Sequence, residues 1–102
     1  MELEELQKFQ QIHDQAFHKD VMSWDRLKQI EHCTFHLSKL AGLFSTYCEN
    51  MHHGEPYDVG KLGSDRIPDI LIFALKFANL FNLDLEEVYL KRIHSVEQRR
   101  KA

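Results

Sequence analysis

Residues 70 to 81 form the longest apolar stretch of the chain, which is interrupted only by Lys76 and Asn79. Apolar side chains would cover most of the circumference of a helix here, so a helix over about residues 66 to 82 needs neighbours on nearly every side. The stretch is too short to cross a bilayer. It predicts a central core helix around which the rest of the chain packs.

The rest of the sequence predicts an all-α fold. Only four Gly and two Pro occur in 102 residues, and no segment alternates as a strand would. Ser23 and Asp84 are predicted N-caps, and Asp84 begins a capping box. Gly and Pro residues predict a loop over residues 52 to 64. The predicted helices cover about residues 2 to 17, 24 to 51, 66 to 82 and 85 to 100.

The first predicted helix is amphipathic. Phe9, Ile12 and Phe17 share a helical period with other apolar residues, and this side is expected to pack inward. The remaining positions are mostly Glu, Gln and Lys, which suit solvent. In the second predicted helix, Gly42 costs about 1 kcal/mol relative to Ala, so a packing reason for it is expected.

The length fits a single domain. Because a domain of this size buries a small share of its surface and is only modestly stable, we expect it to self-associate. The net charge is −3, and no basic face is evident, which argues against a nucleic-acid partner. Residues 1 to 5 are acidic and lack the pattern of a secretory signal, so a cytoplasmic protein without a membrane partner is expected.

The two cysteines are expected to be reduced. Cys33 and Cys48 lie on the same predicted helix, which separates them by roughly 20 Å at 1.5 Å per residue. They cannot pair with each other, and no CxxC motif occurs.

Two segments carry a family resemblance: Asp69-Ile-Leu-Ile-Phe, and Phe77-Ala-Asn-Leu-Phe-Asn-Leu-Asp-Leu-Glu-Glu-Val88. Together with a basic helix that ends Glu97-Gln-Arg-Arg100, they resemble the MazG-like, all-α nucleoside triphosphate pyrophosphohydrolases over about residues 30 to 100. The resemblance implies a four- to five-helix bundle completed by dimerisation, or by pairing of dimers into a tetramer. It also implies Mg²⁺ held by carboxylates. The protein would then hydrolyse a nucleoside triphosphate to the monophosphate and pyrophosphate.

The carboxylates that the family uses are largely missing. Its EExxE motif falls on Ser38, Lys39 and Gly42, and its ExxD motif falls on Arg66 and Asp69. Lysine and arginine repel Mg²⁺, and either could instead pair with Asp69. Alternatively, Asp69 simply complements the N-terminus of its helix. Asp69 and Asp65 are the carboxylates left as metal candidates.

Cations at other motif positions are candidates for binding a phosphate group. Arg92 takes the place of the family's lysine in the last helix, and Val96 takes the place of its asparagine. The resulting substrate-binding candidates are Lys39, Arg66, Arg92 and Arg99. No catalytic residue is assigned.

Seven histidines raise the possibility of a transition-metal site. His32 and His36 lie four residues apart on one helix face and could bind a metal if a third ligand approaches. Ordinary surface or half-buried histidines are the simpler interpretation. Candidate third ligands are Glu31, Cys33, His13, His52 and His53.

Three functions remain open. The first is a degenerate MazG-like protein that binds a nucleotide or serves as an assembly module, without metal. The second is an active Mg²⁺-dependent pyrophosphohydrolase, and the third is a small helical interaction module. In the second, the ligands would come from Glu31, His32, His36, Asp65 and Asp69.

Overall fold

The computed structural model describes residues 1–101, which are all-α and contain no strand. The long helices begin and end within two residues of their predicted bounds. The elements are α1 (Leu3–Phe17), α2 (Lys19–Met22), α3 (Arg26–His52), α4 (Val59–Lys61), a π-helical turn (Leu62–Arg66), α5 (Ile67–Leu80) and α6 (Leu85–Lys101).

Helix α5 is central and packs against both α1 and α3. Its buried residues Leu75 and Ala78 meet a small core that also contains Cys33, Leu40 and Leu62. The expectation that α5 is covered on nearly every side is wrong for the single chain. One side remains open because α6 packs mainly against α1, and it exposes Ile67, Ile70 and Leu71.

Two local predictions need correction. The N-cap of α3 is Asp25, whose Oδ1 accepts a hydrogen bond from Lys28 N at 2.9 Å. Ser23 instead ends α2, where its hydroxyl donates to the carbonyl of Asp20 at 2.6 Å. The predicted loop 52 to 64 is partly helical, because α4 and most of the π-helical turn lie within it.

A polar junction fixes the start of α6. Asp84 caps this helix as predicted, accepting from Glu87 N at 3.2 Å. Gln7 adds a second cap, because its Oε1 accepts from Leu85 N at 2.9 Å. The Nε2 group of Gln7 donates to the Leu83 carbonyl at 2.6 Å and to Asn79 Oδ1 at 3.1 Å. One side chain of α1 therefore links the end of α5 to the beginning of α6.

Helix α1 buries polar side chains and exposes apolar ones. Gln10 and Asp14 are buried. Phe9, Ile12 and Phe17, which were expected to pack inward, are 59%, 66% and 73% exposed. The burial of Gln10 and Asp14 is possible because polar partners meet them inside, as described below.

The chain exposes more surface than a compact monomer of its mass. Its accessible area is 7715 Å² for 12.1 kDa, whereas monomers of this mass average about 6,000 Å². The radius of gyration is 16.5 Å, against about 13 Å for a compact domain of this length. The excess of roughly 1,700 Å², the difference between 7715 Å² and that average, includes many large apolar side chains.

Candidate functional site

A largely buried ion pair joins α1 to α5. Lys76 Nζ lies 3.4 Å from Asp14 Oδ1, and the two side chains are 17% and 8% exposed. Gln10 Nε2 donates to the same oxygen at 2.9 Å. Lys76 also lies 5.4 Å from the ring centroid of Phe73. Each charge is offset by the other, which is the condition for burying both.

Four histidines surround this pair. At the end of α1, the ring centroids of His13 and His18 are 5.6 Å apart. On α3, those of His32 and His36 are 4.5 Å apart. His36 stacks on Phe73 with a centroid distance of 5.1 Å and an interplanar angle of 11°. The interhelical space thus combines imidazole, aromatic and cationic groups.

Three of these histidines, all except His13, line a cleft of about 320 Å³, here called the histidine cleft. It brings together three of the sequence-predicted site residues, namely His32, His36 and Asp69. Its other lining residues are His18, Val21, Ile72, Phe73 and Lys76. Lys76 brings a positive charge to this cleft, and the carboxylates of Asp14 and Asp69 partly offset it.

The charge of the cleft affects its innermost histidine. Burial lowers the pKa of His32 below its ordinary value. The neighbouring His36, Lys76 and His18 lower this pKa further, because they disfavour a second positive charge, whereas Asp20 opposes them. His32 is therefore biased toward its neutral form.

The cysteines are free, as predicted. Cys33 is buried and Cys48 is exposed. Burial raises the pKa of the Cys33 thiol, and this effect exceeds the opposing influence of Lys76. A buried thiol with a raised pKa is poorly suited to nucleophilic chemistry.

Asp69 forms the ion pair that was one of its predicted roles. Arg66 Nη1 lies 3.4 Å from Asp69 Oδ2, in the first turn of α5. Asp65 is exposed and accepts a hydrogen bond from Ser64 at 3.0 Å. Within residues 1–101, neither aspartate belongs to a cluster of three potential metal ligands. These residues do not fit the Mg²⁺ site that the family resemblance implies.

The remaining sequence-predicted site residues lie outside the cleft. Lys39 and Ser38 are exposed, and neither bonds to Arg66 or Asp69 in the described part of the chain. Arg92 and Arg99 are exposed on α6. Among residues 1–101, no atom lies within 4 Å of a Cβ added at Gly42, so packing in this part of the chain does not explain the glycine.

Sequence reasoning missed the residues at the centre of this region, Asp14, His18 and Lys76. The signal for Lys76 was present, because it is the one charged residue inside the apolar stretch and so requires an acidic partner. Nothing local marks Asp14 as that partner, since the pairing is made between distant helices.

A second hollow, here called the apolar groove, lies between α1 and α5. It encloses about 410 Å³ and is lined by Leu6, Phe9, Pro68, Leu71, Ile72 and Leu75, with Gln10, His13, His18 and Lys76 at its polar margin. Phe9 and Leu71 are 59% and 43% exposed. The groove therefore offers apolar surface that the single chain does not cover.

Comparison of the chain with protein-family models, curated proteins and solved structures finds no match. The MazG-like resemblance is thus a hypothesis that depends on the quoted residues alone. Among the helices of residues 1–101, none combines the length and apolarity needed to span a membrane.

Proposed function

We propose that this protein is a divergent MazG-like helical module that self-associates, as a dimer or a pair of dimers, and does not perform Mg²⁺-dependent pyrophosphohydrolysis. The observation that carries the assembly function is the excess of exposed surface. An excess of roughly 1,700 Å² per chain corresponds to roughly 3,400 Å² buried between two chains, within the range of obligate homodimers.

A second copy of the chain is the occupant that this surface fits best. The apolar groove is flanked by the exposed side of α5 and the exposed apolar side of α1. Across the described residues 1–101, the core contains five buried apolar residues. A self-complementary interface across α1 and α5 would add the second layer that this thin core lacks.

The molar mass in solution tests this proposal. Sedimentation equilibrium is expected to give twice or four times the chain mass for the wild type. Phe9→Glu and Leu71→Glu place a charge in the groove and are expected to give the monomer mass. Leu27→Glu is the matched control, since Leu27 is 66% exposed on α3 and does not line the groove.

A wild-type chain that sediments as a monomer at all concentrations would contradict the assembly function. The small helical interaction module would then be favoured, with a different protein on the groove. Oligomers that survive both groove substitutions but dissociate in Leu27→Glu would contradict the assigned interface.

The absence of hydrolysis follows from the residues around Asp69. One carboxylate paired with Arg66 at 3.4 Å cannot provide the oxygen ligands that hold Mg²⁺ on a triphosphate. Incubation with each nucleoside triphosphate and Mg²⁺ or Mn²⁺ is expected to release no monophosphate or pyrophosphate. Turnover that disappears in Asp69→Ala would establish the active pyrophosphohydrolase instead.

Nucleotide binding in the histidine cleft is a second candidate function. Lys76 and the imidazoles would face a phosphate group, and the Phe73–His36 stack provides an aromatic wall for a base. The cleft volume of about 320 Å³ is at the small end for ligand pockets. A nucleoside monophosphate is therefore the expected class of ligand.

Calorimetry with AMP, ATP and inorganic phosphate tests this candidate. AMP is expected to bind the wild type and to lose affinity in His36→Ala, with His94→Ala on α6 as the exposed control. Equal binding of AMP and phosphate would show that only the anion is recognised. Lack of binding by all three would reject the candidate.

A further inference from the structure

We propose that His13, Asp14 and His18 form a binding site for a divalent transition metal of the zinc class. One potential ligand atom from each residue lies within 4.8 Å of the other two. The set of two imidazoles and one carboxylate leaves a coordination position open to water or another ligand. This site differs from the His32–His36 pair, and it borders the groove through which self-association is proposed.

The end of α1 creates the arrangement. His13 and His18 are five residues apart, one more than the usual spacing of residues on the same helix face. His18 closes α1 with φ −129° and ψ 45°, outside the helical region. This change of direction allows the His18 ring to lie 5.6 Å from the His13 ring.

The imidazole of His13 has an unsatisfied nitrogen atom. Its Nδ1 atom is buried and has no hydrogen-bond partner within residues 1–101. The nearest acceptor in the cluster, Asp14 Oδ1, lies 3.9 Å away, which is too long for a hydrogen bond. A buried imidazole nitrogen without a proton acceptor or donor is suited to donate its lone pair to a metal.

The carboxylate is already oriented. Gln10 and Lys76 both contact Oδ1 of Asp14, whereas Oδ2 takes part in no hydrogen bond or ion pair among residues 1–101. Hydrogen bonding of a ligating carboxylate by an outer partner is a common feature of metal centres. Gln10 would have this role here, and Oδ2 would bind the metal.

The same contacts select the class of metal. Lys76 lies 3.4 Å from the carboxylate and repels any dication, so binding depends on the two imidazoles, and Mg²⁺ and Ca²⁺, which depend on carboxylate charge, are disfavoured most. Two imidazole nitrogens favour Zn²⁺, Co²⁺ or Ni²⁺, whose bonds to nitrogen are strong. Tetrahedral coordination at about 2.0–2.1 Å places ligand atoms roughly 3.3 Å apart, so the three side chains must close in by rotation of their χ angles.

Both histidines also border the apolar groove. A metal held here would therefore lie at the edge of the groove through which self-association is proposed.

Equilibrium dialysis of the full chain against Zn²⁺ tests the site. The wild type is expected to bind one equivalent, and His13→Ala and His18→Ala are each expected to weaken binding at least about tenfold, as loss of an outer-shell partner alone does. The double variant His32→Ala/His36→Ala is the control and is expected to keep the wild-type affinity. Circular dichroism checks that each variant is folded.

The visible absorption of bound Co²⁺ provides a second readout, because its ligand field reports the donors directly. It is expected to change in Asp14→Asn, which keeps the size of the side chain. The proposal is overturned if the wild type binds no Zn²⁺, or if binding is unchanged in both His13→Ala and His18→Ala. It is also overturned if only the His32→Ala/His36→Ala variant loses the metal.

Discussion

The two sides of α1 differ in a way that reverses the usual order of a globular protein. The inner side buries Gln10 and Asp14, and the outer side exposes Phe9 and Ile12. Charge is inside because Lys76 meets Asp14 between the helices. Apolar side chains are outside because no element of the described chain covers them. The inner side therefore provides specific polar contacts, while the outer side provides surface for association.

The largest effect is expected on the inner side. Asp14→Ala leaves the largely buried Lys76 without its carboxylate partner, and removal of one member of such a pair costs about 3 kcal/mol of the free energy of unfolding. Urea denaturation measures this loss. The double variant Asp14→Leu/Lys76→Met is expected to be more stable than Asp14→Ala. A loss below about 1 kcal/mol for Asp14→Ala would show that the pair is solvated.

A smaller effect is expected at the junction of the inner side with α6. Gln7→Ala removes the hydrogen bonds to Leu83 and Asn79 and the cap on Leu85 N. The expected loss is about 1–2 kcal/mol, because each such bond contributes modestly. Hydrogen exchange should show faster opening at the start of α6. Unchanged exchange there would mean that Asp84 alone fixes the helix.

His32, on α3 beside the end of α1, adds a dependence on pH. The pKa of His32 is lowered in the folded chain, so the unfolded chain takes up this proton first as the pH falls. The contribution is fully present above the ordinary histidine pKa of about 6.5 and is lost below it. The difference between the urea midpoint measured above this pH and the one measured below it should be smaller for His32→Gln than for the wild type. Equal pH-dependent changes in the two proteins would show that His32 does not cause the pH dependence of stability.

The smallest effect is expected at the aspartate to which the sequence draws attention. Asp69 and Arg66 are about one-third exposed, so solvent screens their ion pair. Asp69→Ala should lower the free energy of unfolding by about 0.5 kcal/mol. Urea denaturation of Asp69→Ala and Asp14→Ala under the same conditions compares the contributions of the two aspartates to stability. A loss as large as that of Asp14→Ala would give Asp69 an unrecognised partner.

The difference between Asp14 and Asp69 also shows how far sequence reasoning reaches. Helical periodicity predicts the all-α fold, and local chemistry predicts the Asp84 cap, because both depend on residues close in the chain. The extra helix α2 and the helical turns between residues 59 and 66 are short and lack a periodic signal. The ion pair of Asp14 with Lys76 links residues far apart in sequence. Only the packing of α1 on α5 reveals it.

The histidines illustrate the same limit. The spacing of His32 and His36 marks them as neighbours on α3, and their rings are close in the structure. The approach of His18 to His13 depends on the break in helical geometry at the end of α1. Apolar periodicity also predicts that Phe9 and Ile12 are buried, but it does not specify whether the same chain or a second one covers them.

The dependence of unfolding on protein concentration tests most directly whether association completes the fold. If a second chain covers the outer side of α1 and the open side of α5, mass action stabilises the folded assembly. The urea midpoint should then rise with each increase in protein concentration, and this rise should be absent in Phe9→Glu. A midpoint that is independent of concentration, for a chain with the monomer mass, would contradict this account.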